Sequence, residues 1–219
     1  MKVGAVTGLV AEAKVAQHAG LIARPSGGIA AQTTAIAESL LREGAEALIS
    51  FGIAGALAPT LAPGGLLVPR AVMDERGTRY AVDSEWRTDV TETLRHAGFS
   101  VEARDLLGAS EAAAPPARKA ELHRVTGAVA VDLESHLVAA VAARAGKPFI
   151  VLRAVSDSAT QMLPDAAIHG LAPSGKPALG RVFLSVARDP RQIPALIRLA
   201  GDTRRALDAL GLALKIIKL

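Results

Sequence analysis

Apolar and polar positions alternate along this chain with two periods, a strand-like one in short β-branched runs and a helical one between them. Lys2–Thr7 is a short β-rich run ending at Gly8, the pattern of a first buried strand. LVAEAKVAQHAG follows, with Glu12 in the turn or the first helical residues. Leu21–Ala23 is a second short apolar segment, and Ser26–Gly27–Gly28 is a turn opening a helix from Ile29 to about Glu43. On that helix Ile36, Leu40 and Leu41 recur at helical spacing, and Gly44 ends it. Ala47–Phe51 is a second strong strand that closes in Gly52–Ile53–Ala54–Gly55. These small residues either let a ligand approach the backbone or simply make a tight turn between packed strands.

Further strands are expected at Leu66–Met73 and Phe99–Leu107, with a short extended piece at Tyr80–Val82. Ser84 reads as the N-cap of an amphipathic helix with Trp86, Val90 and Leu94 on one face, ending near Gly98. Pro115 and Pro116 introduce the helix ARKAELHRV, and Ala128–Val131 is a strand. The densest pattern is VDLESHLVAAVAARAGKPFIVLRAVSDSA, from Val131 to Ala159. It sets Asp132 and Glu134 at the mouth of an apolar helix, breaks at Gly146–Pro148, and resumes as a strand ending in Ser156–Asp157. In open α/β sheets ligands bind outside the carboxyl ends of strands, which is where Asp157 falls. Beyond it, Pro164, Pro173 and Pro177 punctuate a loop with a short helix around Asp165–His169, and helical segments at Leu179–Arg188 and Ile193–Leu214 close the chain. The pattern predicts a single α/β domain over 1–219 with a central sheet, without repeats or linkers.

Composition narrows the chemistry. The chain has no cysteine, which excludes disulfides, thiolate metal sites and a cysteine nucleophile. The net charge is +4, but the arginines are scattered among acids and aromatic residues make up only 3%, so nucleic acid is not the expected partner. Ala47–Pro69 carries no charge and is long enough to span a bilayer, yet its prolines and glycines would break a helix repeatedly; strand, glycine turn, strand fits better. The amino terminus lacks a signal-peptide layout, so a cytoplasmic location is expected. The basic, Leu-rich 188–219 region is a candidate for membrane-surface docking, set against an ordinary amphipathic helix covering the sheet.

No phosphate loop, zinc helix, nucleophile elbow or dinucleotide fingerprint is present, and the five histidines do not cluster, so no metal is expected. What remains is carboxylate chemistry, in Glu12, Glu134 and Asp157, each after an apolar strand or at a helix mouth. A single acid in such a place is more often a cap or an ion-pair partner than a catalyst. Three at successive strand ends shift that balance without settling it.

MKVGAVTGLVAEAKV, ALISFGIAGALAPTLAPGGLLVP and the Val131–Ala159 stretch, in this order and spacing, resemble the purine nucleoside phosphorylase and methylthioadenosine/adenosylhomocysteine nucleosidase superfamily. Val131-Asp132-Leu133-Glu134 and Arg153-Ala154-Val155-Ser156-Asp157 carry the likeness, which runs from residue 1 to about 160. The carboxy-terminal part is more like the hopanoid-associated phosphorylase branch, which removes adenine from adenosylhopane. The resemblance implies a three-layer αβα fold around a mixed sheet and cleavage of the bond between adenine and the ribose of a 5′-substituted adenosine, by water or phosphate. It implies that Asp157 serves purine N7, in a semi-buried setting that keeps it protonated, that Glu134 takes the ribose hydroxyls, and that Glu12 activates water. Ala54, Gly55 and Leu133 would line the base and sugar pocket, with Arg153 and Ser156 holding the local geometry. No cofactor is implied beyond phosphate as a co-substrate, and a homodimer or higher oligomer is expected.

The chain also departs from the family. Ser50 and Ile53 stand where phosphate-using relatives have an arginine and a serine, which leans toward hydrolysis. Leu107-Gly108-Ala109-Ser110-Glu111 lacks the aromatic that packs on the purine, which fits a bulky or lipid-linked 5′ group. A nucleoside-binding module of the same fold without turnover is the alternative.

Overall fold

Val3–Thr7 forms β1, buried throughout and paired in parallel with both β2 (Ile22–Pro25) and β3 (Ala47–Ala56). β3 is paired along its other edge with β10 (Phe149–Asp157), again in parallel. The apolar residues of β3 and β10 are nearly continuous because strands at the centre of a covered sheet bury both faces. Side chains such as Phe51, Ile150 and Leu152, fully buried here, each contribute about 1.5–3 kcal/mol. The computed structural model describes residues 1–217; Lys218 and Leu219, the end of the predicted 1–219 domain, lie outside the described residues.

The rest of the sheet is mixed. β4 (Leu66–Leu67) runs antiparallel to β10, and β7 (Val101–Glu102) extends that edge. On the other side β9 (Ala130–Asp132) pairs antiparallel with the end of β3 and leads through β8 (Leu106–Gly108) and β5 (Ala71–Asp74) to β6 (Arg79–Ala81). Helices α1 (Val10–His18), α3 (Ser84–His96) and α8 (Ile193–Ile216) group together, as do α2 (Ala30–Arg42) and α5 (Ser135–Ala145). The three-layer αβα arrangement around a mixed sheet is therefore the observed fold.

Several boundaries differ from those the periodicity predicts. Gly52–Gly55 is not a turn but the continuation of β3, because Gly52, Ile53 and Ala54 pair with β10 and Gly55 also pairs with β9. The predicted strand Leu66–Met73 divides at Pro69 into β4 and β5, which sit on different parts of the sheet, and Phe99–Leu107 divides in the same way into β7 and β8. The cap of α3 is Asp83, whose carboxylate accepts a hydrogen bond from the Trp86 N–H at 2.9 Å, and not Ser84. The uncharged run at 47–69 is β3, a loop and β4, and among the described residues no helix is long and apolar enough to cross a membrane. Helix α4 spans Pro116–Thr126, and beyond β10 a loop leads to α6 (Asp165–Ile168) and α7 (Leu179–Arg188).

Candidate active site

Glu12 enters the site from the first turn of α1. Its Oε2 accepts the Leu9 N–H at 2.6 Å, the reciprocal bond a glutamate makes to the start of its own helix. Its Oε1 accepts the Ile53 N–H of β3 at 2.8 Å, which ties the helix to the central strand. Burial raises the Glu12 carboxyl above its ordinary value, opposed by Arg153 and by the N–H groups it accepts from. Glu134 stands just before α5 and points to the same place. A Cβ added at Gly8 would lie 2.6 Å from Glu134 Oε1 and 3.5 Å from Glu12 Oε2, so both acids close on the bare backbone of that glycine. Gly52 has the same role on the other side: a Cβ there would lie 2.5 Å from Glu12 Oε1 and 2.6 Å from Arg153 Nη1.

Arg153, fully buried in the middle of β10, holds these acids together. Its Nη2 lies 2.6 Å from Asp132 Oδ2 and 3.1 Å from Glu134 Oε2, and it donates to Ser50 Oγ at 2.7 Å. Ser135 Oγ donates to Asp132 Oδ2, and its N–H donates to Asp132 Oδ1 at 3.1 Å. One guanidinium thus pairs with two carboxylates. Burial, with Asp132 and Glu12 alongside, raises Glu134 to about 7 against the opposing pull of Arg153. The same acids keep Arg153 protonated despite its burial. Ser50, read from the sequence as a departure at a phosphate position, is a buried partner of Arg153 and Ser135 and does not face the cavity.

Asp157 ends β10 next to an irregularity. Arg153, Ala154 and Val155 pair in step with Gly52, Ile53 and Ala54, but Asp157 pairs with Gly55, so Ser156 is an extra residue on this strand. Such a bulge bends the strand and re-aims the side chains after it. Asp157 Oδ1 accepts from Ser156 Oγ at 2.8 Å, while Oδ2 is in contact with the ammonium of Lys119, from α4. The expected setting was a semi-buried carboxyl; the observed one is a buried ion pair at the cavity wall. Lys119 is absent from the residues singled out by the sequence, because ARKAELHRV reads as a polar helix. The available signal is its spacing of three from the buried Leu122, which puts both on one face.

These elements surround a cavity of about 190 Å³. Glu12, Glu134 and Asp157 line it, as do Ala54, Gly55, Leu133 and Ser156, so seven of the eight residues expected from the sequence share one wall or another. Arg153 lies behind the wall. Gly8, Gly28, Ile53 and Asp132 also line it, and Leu163 and Leu171 enter from the segment after β10. Ala112 and Ala113 form the wall near the altered 107–111 segment. Ser110 itself turns away, donating from its N–H and its hydroxyl to Glu75 at 2.9 and 2.6 Å.

A cavity lined by acids at the carboxyl edge of a covered α/β sheet has the form and position of a small-ligand site. The family model described as the phosphorylase superfamily matches residues 7–185, and the chain belongs to that superfamily. Comparison with curated proteins finds no match. Among solved structures, it is similar to 5′-methylthioadenosine/S-adenosylhomocysteine nucleosidase from Helicobacter pylori with butyl-thio-DADMe-Immucillin-A, at 16% identity over 99% of each chain and a TM-score of 0.72. It is similar to S-adenosylhomocysteine nucleosidase from Streptococcus pyogenes in complex with 5-methylthiotubericidin, at 18% identity over 100% of this chain and 98% of that one, TM-score 0.73. Futalosine hydrolase of Helicobacter pylori matches at 16% identity over 99% and 98%, TM-score 0.72. At these identities the likeness is one of fold.

Proposed function

We propose that this protein hydrolyses the N-glycosidic bond of a 5′-substituted adenosine and releases adenine. The observation that carries the reading is the division of the acids around one cavity. Glu12 and Glu134 converge at Gly8, while Asp157 stands apart on the bulged end of β10. Breaking the bond from ribose C1′ to the purine leaves positive charge on the sugar and negative charge on the base. The acid pair favours the first, and a proton delivered through Asp157 to purine N7 relieves the second. Glu12, ionised, takes the proton of the attacking water; Glu134 accepts from the ribose hydroxyls. Because Glu12 must be ionised and burial raises its carboxyl, the rate falls as pH drops through that raised value.

Two features support a bulky apolar 5′ group. Leu163 and Leu171 line the cavity, and the same part of the chain leads to α7, where Leu179 and Phe183 are each 75% exposed. Adenosylhopane, which the resemblance of the carboxy-terminal part implies, is the substrate of this kind to try; the membrane-surface docking expected of 188–219 would fall instead on α7, since α8 packs against β10. The test is to follow free adenine from adenosine, methylthioadenosine and adenosylhopane, with and without phosphate. Adenine release without phosphate is expected, fastest for the apolar 5′ group. No adenine from any of the three overturns the proposal, and a sugar product formed only with phosphate overturns the hydrolytic part.

A further inference from the structure

Lys119 has no role in the chemistry set out above, and its place is unusual for a lysine. It is fully buried, and its ammonium donates to three groups: Asp157 Oδ2, the Ser158 carbonyl at 2.8 Å and the Gln161 carbonyl at 3.0 Å. Three protons meet three acceptors, so the ammonium is satisfied without water. A buried charge kept only for packing is a poor bargain, because apolar side chains of similar size usually do as well or better. Of the other charged groups on α4, Arg118 and Glu121 pair with each other at 2.9 Å on the outer side, and His123 meets the Ala128 carbonyl. Of the other acids of the cavity wall, Asp132 and Glu134 are engaged by Arg153, and Glu12 accepts the Leu9 and Ile53 N–H groups. Asp157 is thus the carboxylate that faces Lys119, among the described residues.

We infer that Lys119 is the proton store of this site, acting through Asp157 as a positioning and proton-supplying residue. The inference rests on the glycosidic-cleavage reading. As the bond from C1′ to the purine breaks, its electron pair leaves with the base; Lys119 passes one Nζ proton to the Asp157 carboxylate, which hands a proton on to N7 and is a carboxylate again. Water adds to C1′ and gives its proton to Glu12. Before the step the three groups are an ammonium and two carboxylates; after it they are an amine, a carboxylate and a carboxylic acid, so the charge of the site is unchanged. The amine then has two protons for its three acceptors, which favours its return to ammonium from solvent once product leaves.

Two variants test this on a nucleoside that the wild type turns over, with kcat and KM followed from acid to alkaline pH. Lys119→Arg keeps the positive charge but holds its proton throughout, so kcat is expected to fall about 100-fold with KM little changed. Lys119→Met leaves Asp157 as a lone buried acid, for which burial favours the neutral form. Its activity is expected to persist at acid pH, with the alkaline limb of the kcat profile moved to lower pH. A merely structural lysine, whose removal only takes a cation away from Asp157, would lower the rate and leave the limb in place or move it to higher pH. That result, or wild-type kcat in Lys119→Arg, overturns the inference. If Lys119→Met does not fold, Lys119→Arg decides. A wild type that releases adenine while the variants behave as structural sinks this inference alone; a wild type that releases none sinks the glycosidic reading and this one together.

Discussion

The two buried ionic clusters of the cavity are built on opposite ratios. On the side of Gly8, one guanidinium pairs with Asp132 and Glu134 and lies within electrostatic reach of Glu12; on the side of Asp157, one ammonium pairs with one carboxylate. Both cations come from full burial, and both clusters meet on β10, which carries Arg153 and Asp157 only four positions apart. An excess of acids in a buried place cannot all be ionised at once, so protons stay there near neutral pH, and Glu134 rises to about 7. A matched pair has no such excess. The difference teaches that burial, the first cause of the rise at Glu134, acts there together with neighbouring carboxylates that one cation does not offset. It also separates the proposed tasks, with sugar and water on the acid-rich side and the purine on the matched side.

The largest effect that would break this comparison is removal of the shared guanidinium. Arg153→Met leaves three acids buried without a cation, and urea denaturation at neutral pH is expected to show a loss of about 3–5 kcal/mol. The loss should shrink at acid pH, where the acids carry protons; a loss that does not depend on pH would contradict the account. Next comes Asp157→Asn, expected to lower kcat for adenine release by at least about 100-fold, or about 2.7 kcal/mol of barrier. A variant at full rate would remove Asp157 from the proposed chemistry. Glu134→Gln acts on the same comparison through pH. In the folded protein Glu134 titrates near 7, above its ordinary 4.5, so its contribution to stability is complete below 4.5 and is lost as pH rises through about 7. Calorimetric melting across that window should therefore fall more steeply for the wild type than for the variant, and parallel curves would show that Glu134 holds no extra proton. The smallest expected effect is Ser50→Ala, which removes one partner of Arg153 and should cost about 1 kcal/mol in the same denaturation assay, with adenine release largely kept.

The sequence exposed the parts of this site unevenly. Glu12, Glu134 and Asp157 are visible because each follows a short apolar run, and strand ends are where open sheets place their chemistry. Ala54 and Gly55 are visible as small residues, though the turn assigned to them is strand, since both edges of β3 find partners that lie far away in the chain. Lys119 is invisible for a different reason. A lysine on a helix beside Arg118 and Glu121 has the composition of a solvated face, and only the packing of α4 against the loop after Asp157 buries it. The bulge at Ser156 is likewise absent from any local pattern, because it exists only in the register of β10 against β3. Ser110 shows the reverse case: the altered 107–111 segment looked like pocket, but Glu75, from a neighbouring strand end, draws its hydroxyl away.

By itself, then, the sequence determined the alternation of strands and helices, the three acids, and the absence of cysteine chemistry, because periodicity and residue type are local properties. The tertiary structure decided which cation each acid meets and how many acids share it. Those contacts join Glu12 to Ile53, Asp132 to Arg153 and Lys119 to Asp157, groups far apart in the chain that meet only at a common sheet edge. Electrostatics depends on distance and burial in space, and neither can be read along the chain.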